Sequence, residues 1–277
     1  YLGKMLALLG EPDALQRAAA VFAFEKTLAT AHWTSIESRD ADKTYNKWSA
    51  DEFGVKAPGY PWAETRAALG VGAQQTFMIR QPSAIIGEAK AFAETPLPVL
   101  KDYAMLRLAR AMGPYLSKAY DDTVFAFYGT ALSGQPQQRD RWKRGVALVS
   151  DGLGEEIGRE YVARYFPPES KAAADNLVKN IIAAMSARID KLEWMAASTK
   201  AKAHAKLAAF TPKIGYPSQW RDYSAVRVTR SNLVANVASA NAAEYQRDLA
   251  KLGQPIDRTE WFMPPMTINA YANPPMN

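Results

Sequence analysis

The chain has 277 residues, 48% hydrophobic and 22% charged, no cysteine and a net charge of +6. This is the composition of a globular protein, long enough for one large or two ordinary domains, and it argues against extensive disorder. Without cysteine, disulfides, thiolate catalysis and Cys-ligated metals are excluded, and the redox compartment stays open. The positive charge is spread along expected helices, with no zinc-finger, RNP-like or basic-zipper spacing, so nucleic acid is not the expected partner.

In chain order, residues 1–9 lack the basic start and cleavage site of a signal peptide, and no apolar run reaches the ~20 residues of a membrane helix. After Glu11-Pro12-Asp13, the apolar positions Leu15, Ala18, Val21, Phe22, Leu28 and Ala31 predict a helix to about Ser38. Residues 40–60 read as a loop with a short helix, and Pro61-Trp62 opens another helix. Thr76-Phe77-Met78-Ile79 is the best early strand, closed by Gln81-Pro82. Helices are then expected at about 83–94, 97–112, 116–132, 138–166 with a glycine break, 168–192 and 199–209. The breakers between them, Pro96, Gly113-Pro114, Gly134-Gln135-Pro136 and Pro167-Pro168, leave the short connections of packed antiparallel helices.

Within 168–192, Leu177, Ile181, Ala184, Met185 and Leu192 recur at helical spacing and predict a buried stripe. Residues 211–228 look irregular with strand potential at their end, 231–252 helical and stopped by Gly253, and 259–271 extended. The change of character near Phe210 is the one candidate domain boundary, giving 1–210 and 211–277. The fold class is mainly α: a multi-helix lobe with short loops, followed by a strand-bearing segment.

Most candidate chemistry reads as structural. His204 lacks a second histidine four residues away, and His32 lacks triad partners. The glycines of Gly152-Leu153-Gly154-Glu155-Glu156-Ile157-Gly158 are spaced one residue too long for a dinucleotide loop, and no β-branched strand precedes them. Glu155, Glu156 and Glu160 read as acids at a helix start. Trp142, Tyr161, Tyr165, Phe166 and Trp194 read as core aromatics. The exception is the last stretch, 267–277. There Thr267, Ile268 and Tyr271 favour a strand, while Asn273-Pro274-Pro275 removes donors and ends it, leaving an edge suited to an extended peptide.

That stretch, Asn269-Ala270-Tyr271-Ala272-Asn273-Pro274-Pro275-Met276-Asn277, resembles the N-A-Y-x-N-P-x-x-N segment of the neprilysin and endothelin-converting-enzyme family of zinc metallopeptidases. The likeness keeps family order along nearly the whole chain. It runs through Glu25, Leu28-Ala29, Arg39-Asp40 and Tyr45-Asn46-Lys47, then Trp142, Gly154, Gly158 and Tyr161-Val162. It continues through Leu192, Trp194-Met195, Thr199-Lys200, Ala203, Lys206-Leu207 and Ile214-Gly215-Tyr216-Pro217. Gly145 stands where many animal members carry cysteine, and Ala272 replaces a second aromatic.

The resemblance implies a helical cap lobe over 1–210 and, from 211, the first strand and helices of a thermolysin-like α+β catalytic lobe. It implies a zinc-dependent endopeptidase for short peptides. Asn269, Ala270 and Tyr271 would form the substrate-binding edge strand, with the Asn269 side chain and Ala270 carbonyl bonded to the peptide backbone. The zinc ligands and catalytic residues are expected outside this chain, in an H-E-x-x-H and a later glutamate beyond Asn277, so the chain alone is expected to be inactive. Its partners would be short peptides and the remaining catalytic half. A periplasmic or secreted location is implied too. A different class, a non-catalytic helical peptide-binding or scaffold protein, also fits the residues.

Overall fold

The expected helices form, in a computed structural model that describes residues 1–272, and they fall into two units, Tyr1–Gln138 and Arg139–Asn277. The boundary expected near Phe210 lies inside the second unit.

In the first unit, α1 (Leu2–Leu8) and α2 (Ala14–Ala31) precede a small sheet region, and α5 (Pro82–Glu94), α6 (Leu97–Met112) and α7 (Lys118–Val124) follow it. The sheet region holds β1 (Asn46–Ser49), α3 (Glu52–Lys56), α4 (Trp62–Ala68) and β2 (Thr76–Ile79). After α7 the chain continues as a π-helix, Phe125–Ala131. Met5, Leu6, Ala18, Val21, Leu106 and Ala109 make the core between α1, α2 and α6. Across its edge Arg17 Nε donates to the buried Asp102 at 2.9 Å, and the guanidinium also pairs with Glu11. These two hydrogen bonds, that to Asp102 first, hold Arg17 more firmly protonated than usual.

Helix α2 stops at Ala31, short of the expected Ser38, where His32 turns extended and Trp33 takes its partners from the region of α5 instead of from a further helical turn. Trp33 N donates to Gln81 Oε1, and Trp33 Nε1 donates to Ser83 Oγ. Helices α2 and α5 cross closely at Gly87, where any Cβ would collide with the Ala31 methyl. The expected strand at 76–79 has a partner that the sequence pattern did not reveal: β1 pairs with it antiparallel, Trp48 opposite Phe77 and Asn46 opposite Ile79. Trp48, Phe53, Ala57, Ile79 and Ala89 form a second core, with Phe53 meeting Trp48 and Phe77 edge to face.

The second unit has α8 (Arg141–Tyr165), α9 (Pro168–Asp190), α10 (Ala197–Ala208) and α11 (Leu233–Ala250). The glycine break expected in α8 falls at Leu153 (φ −135°, ψ 34°), between Gly152 and Gly154. Asn232 caps α11, its Oδ1 accepting from Ala235 N at 2.9 Å, and Gly253 (φ 75°) follows the helix end. His204 joins α10 to α9, 3.1 Å from Ser186 Oγ and 2.8 Å from Asp190 Oδ1. No strand forms near Val228.

Two expectations are corrected here. The α9 stripe is not buried: Leu177 is 60% and Ile181 57% exposed, because α10 packs on a different side of α9, through Ser186 and Asp190. Trp142, Tyr161, Tyr165 and Trp194 are likewise exposed rather than core.

In the first unit, two Ser/Thr-x-x-Glu pairs satisfy donors reciprocally. Ser49 N donates to Glu52 and Glu52 N to Ser49 Oγ, and Thr34 and Glu37 do the same. Lys56 first and then the Ser49 N–H hold Glu52 below the ordinary carboxylate range, and the Thr34 hydroxyl and N–H do so for Glu37. Depressed values in the folded state mean that this stabilisation is present above the ordinary value of 4.5 and is lost as pH falls through the folded-state values. The double variant E37Q/E52Q should therefore lose less Tm than the parent on acidification below that value. Equal Tm-against-pH slopes in thermal unfolding would refute the assignment.

Candidate functional site

The geometry of the second unit is organised around the α8 break. A non-helical residue at 153 frees backbone donors on its C-terminal side, and they need partners. Glu155 N donates to the Tyr223 hydroxyl at 3.1 Å. The Glu155 carboxylate, buried to 8% exposure, accepts from Arg221 N at 2.9 Å and lies 3.7 Å from Arg221 Nε. Arg221 also reaches Glu244 on α11 at 3.1 Å, and Arg247 pairs with the same carboxylate. Glu155 is thus more than an acid at a helix start: it ties the irregular 211–228 segment to both α8 and α11. The sequence signal for it was the run of glycines around a lone apolar residue, which marks a break with donors to satisfy.

The segment carrying the expected recognition residues is anchored beside this network. Asp257 accepts from Thr259 N and Oγ1, and these bonds, the hydroxyl's first, hold its carboxyl below the usual range. The Glu260 carboxylate meets Lys251 Nζ at 2.6 Å, and the Glu260 carbonyl accepts from Lys213 Nζ at 2.6 Å. Lys251, bonded to Asp248 and then to Glu260, is held protonated to higher pH than usual. Pro264 and Pro265 lie against Gly154 and Gly158 of α8.

Asn269, Ala270 and Tyr271 then stand together on the wall of a cavity of about 550 Å³, with Phe166, Phe210, Ile214, Trp261 and Met263 among its other lining residues. The Asn269 Oδ1 accepts from Ala270 N at 2.8 Å, and the Tyr271 hydroxyl accepts from Phe262 N at 3.4 Å. Asn269 and Ala270 are exposed. The expected extended run over 259–271 has no partner strand among the described residues. It is held by turns instead, with Thr267 N donating to Pro264 O and Asn269 N to Thr267 O, both at 3.0 Å. The motif residues from Asn273 to Asn277 lie outside the described residues.

What the arrangement offers chemically is hydrogen bonding. The Oδ1 of Asn269 keeps a second lone pair and its Nδ2 two donors, next to a cavity lined by both apolar and polar side chains, Lys213 and Arg258 among the latter. Among the described residues no three His, Cys, Asp or Glu side chains gather to hold a metal, and His32 and His204 are bonded to Glu88 and Asp190. The residues present do not fit a zinc site.

A helical unit thus carries a cavity with an exposed segment on its wall. The chain belongs to peptidase family M13, whose family model matches residues 1–217. It is 27% identical to an endothelin-converting enzyme homolog of Locusta migratoria, over 100% of this chain and 41% of that protein. A neutral endopeptidase of Lactobacillus helveticus is 25% identical, over 98% of this chain and 42% of that protein. Among solved structures, the zinc metalloprotease Zmp1 of Mycobacterium tuberculosis, in complex with inhibitor, is 39% identical with a TM-score of 0.90, covering 99% of this chain and 42% of that one. The chain therefore spans about two fifths of the length of these relatives.

The Glu155 network yields a stability prediction. E155A leaves the Arg221 N–H unpaired in a buried site and should cost about 3 kcal/mol, the scale of breaking a buried pair. E155Q keeps an acceptor and should cost about 1 kcal/mol. Urea denaturation midpoints separate the two, and equal losses would show that the charge, rather than the acceptor, is what matters.

Proposed function

We propose that this chain is the helical part and peptide-recognition segment of a zinc-dependent metalloendopeptidase that cleaves short peptides. The observation that carries the reading is the juxtaposition of Asn269, Ala270 and Tyr271, all exposed, with a cavity of mixed lining, apolar at Phe166, Ile214 and Trp261 and cationic at Lys213 and Arg258, that can take a peptide side chain. A peptide laid along this segment would bond through its backbone to the Asn269 side chain and the Ala270 carbonyl, the strand-addition mode of recognition. Tyr271, steadied by Phe262, supplies a wall.

In this reading residues 1–210 form the cap and 211–277 lead into the catalytic lobe, with the division at Gln138 a break within the cap. The family match over 1–217 supports that division of labour. The zinc and its ligands belong to the rest of the full-length protein, together with the groups that activate water. The uncovered apolar surface of α8 and α9 supports a further lobe as partner, since Trp142, Val146, Leu177 and Ile181 are each more than half exposed. A periplasmic or secreted location follows from the same reading, and cell fractionation tests it. Among the described residues no helix is long and apolar enough to cross a membrane.

The test uses the full-length protein and a quenched-fluorescent short peptide. The protein should hold one zinc per chain and lose cleavage on chelation. N269A should raise KM about tenfold with kcat little changed, the loss expected from one or two backbone hydrogen bonds. Peptide binding by a full-length protein that holds no metal and cleaves nothing would replace the peptidase with the peptide-binding scaffold.

A further inference from the structure

We propose that Gly158, with Gly154 one turn earlier, is a positioning residue: the two glycines form a seat for Pro265 and Pro264 that sets where Asn269 and Ala270 stand. The inference rests on the reading of Asn269 and Ala270 as the peptide-recognition residues. Residues four apart on a helix share a face, so glycine at both 154 and 158 leaves one strip of α8 without side chains. Into that strip fit the two prolines. A Cβ at Gly158 would stand 2.5 Å from Pro265 Cδ, 3.1 Å from its Cγ and 3.6 Å from its N. At Gly154 a Cβ would stand 3.2 Å from Pro264 Cβ and Cγ.

Proline suits this role because its ring is rigid and its φ fixed, so a push on the ring cannot be relieved by changing rotamer and must move the backbone. The segment has little room to retreat on its N-terminal side. There the Glu260 carboxylate is held by Lys251 and its carbonyl by Lys213, both at 2.6 Å. Displacement therefore passes toward the C-terminus, where two consecutive turn bonds, Thr267 N to Pro264 O and Asn269 N to Thr267 O, couple the prolines to Asn269. Neither glycine lines the cavity holding Asn269 and Ala270, whereas Pro264 and Pro265 do, so any effect of the glycines on peptide binding acts through the prolines.

The experiment compares G158A, P265A, G158A/P265A and N269A in the full-length protein, reading KM and kcat on the same peptide together with Tm. G158A should raise KM about tenfold with kcat changed far less, within the hundredfold that a misplacement of about 1 Å can cause. The double variant should recover most of it, because removing Pro265 Cδ and Cγ leaves the backbone N at 3.6 Å, an ordinary contact. A purely structural role would lower the active fraction, and so kcat, at unchanged KM. If N269A raises KM while G158A leaves it unchanged, or if the double variant is no better than G158A, the seat is overturned and the recognition reading stands. If N269A is silent, the recognition reading fails and the seat with it. Should G158A not fold, G154A with its milder contact takes its place: a KM rise of about threefold supports the proposal and an unchanged KM overturns it.

Discussion

The second unit depends on a carboxylate removed from water. Desolvating Glu155 is costly unless its lone pairs are taken up, and they are: the Arg221 N–H donates to one oxygen and the guanidinium lies near the other. Because Arg221 also reaches Glu244, the same charge that satisfies α8 draws in α11. The 211–228 segment has no helix or strand of its own to hold it, so these bonds, with the Tyr223 hydroxyl on Glu155 N, fix its path across α8. The origin is local. Leu153 leaves helical geometry, donors are freed, and polar partners from elsewhere in the sequence converge on the gap.

The helices were legible because their signals are local: periodicity, prolines at first turns and glycines at ends. Leu97–Met112 and Pro168–Asp190 open at the expected residues for this reason. What failed needed knowledge of partners. A buried stripe on α9 assumes something to bury it, and Leu177 and Ile181 are exposed because the neighbouring helix packs elsewhere. Strand β1 was hidden because Asn46-Lys47-Trp48-Ser49 offers a single large apolar residue, whose place is set by partners outside the strand, Phe53 and Ile79 in the core and Phe77 across the ladder. Glu155 reads as an acid at a helix start because the glycines beside it mark the break but not the partners that bury it. Its partners lie 66 and 68 residues away. The choice of Asn269, Ala270 and Tyr271 as candidate recognition residues comes only from family likeness. Composition and spacing alone do not set Asn269 apart from any turn asparagine.

The arrangement around Asn269 divides a segment into a fixed half and an accessible half. Between Asp257 and Pro265, the side chains of Asp257, Thr259 and Glu260 have partners and the prolines are wedged against glycine, so this half is held in place. Beyond it, Ile268 to Ala270 are exposed. A site that binds an extended chain gains from this, because ordering a loose strand costs roughly 1–2 kcal/mol per residue, enough to cancel the net value of the hydrogen bonds it would make. The bond from Ala270 N to Asn269 Oδ1 adds to the effect. It fixes the carboxamide with its oxygen toward the chain, while the second lone pair and both amide hydrogens stay available. In the proposed reading the asparagine is oriented before a peptide arrives, and the cost of orienting it is met in folding rather than in binding.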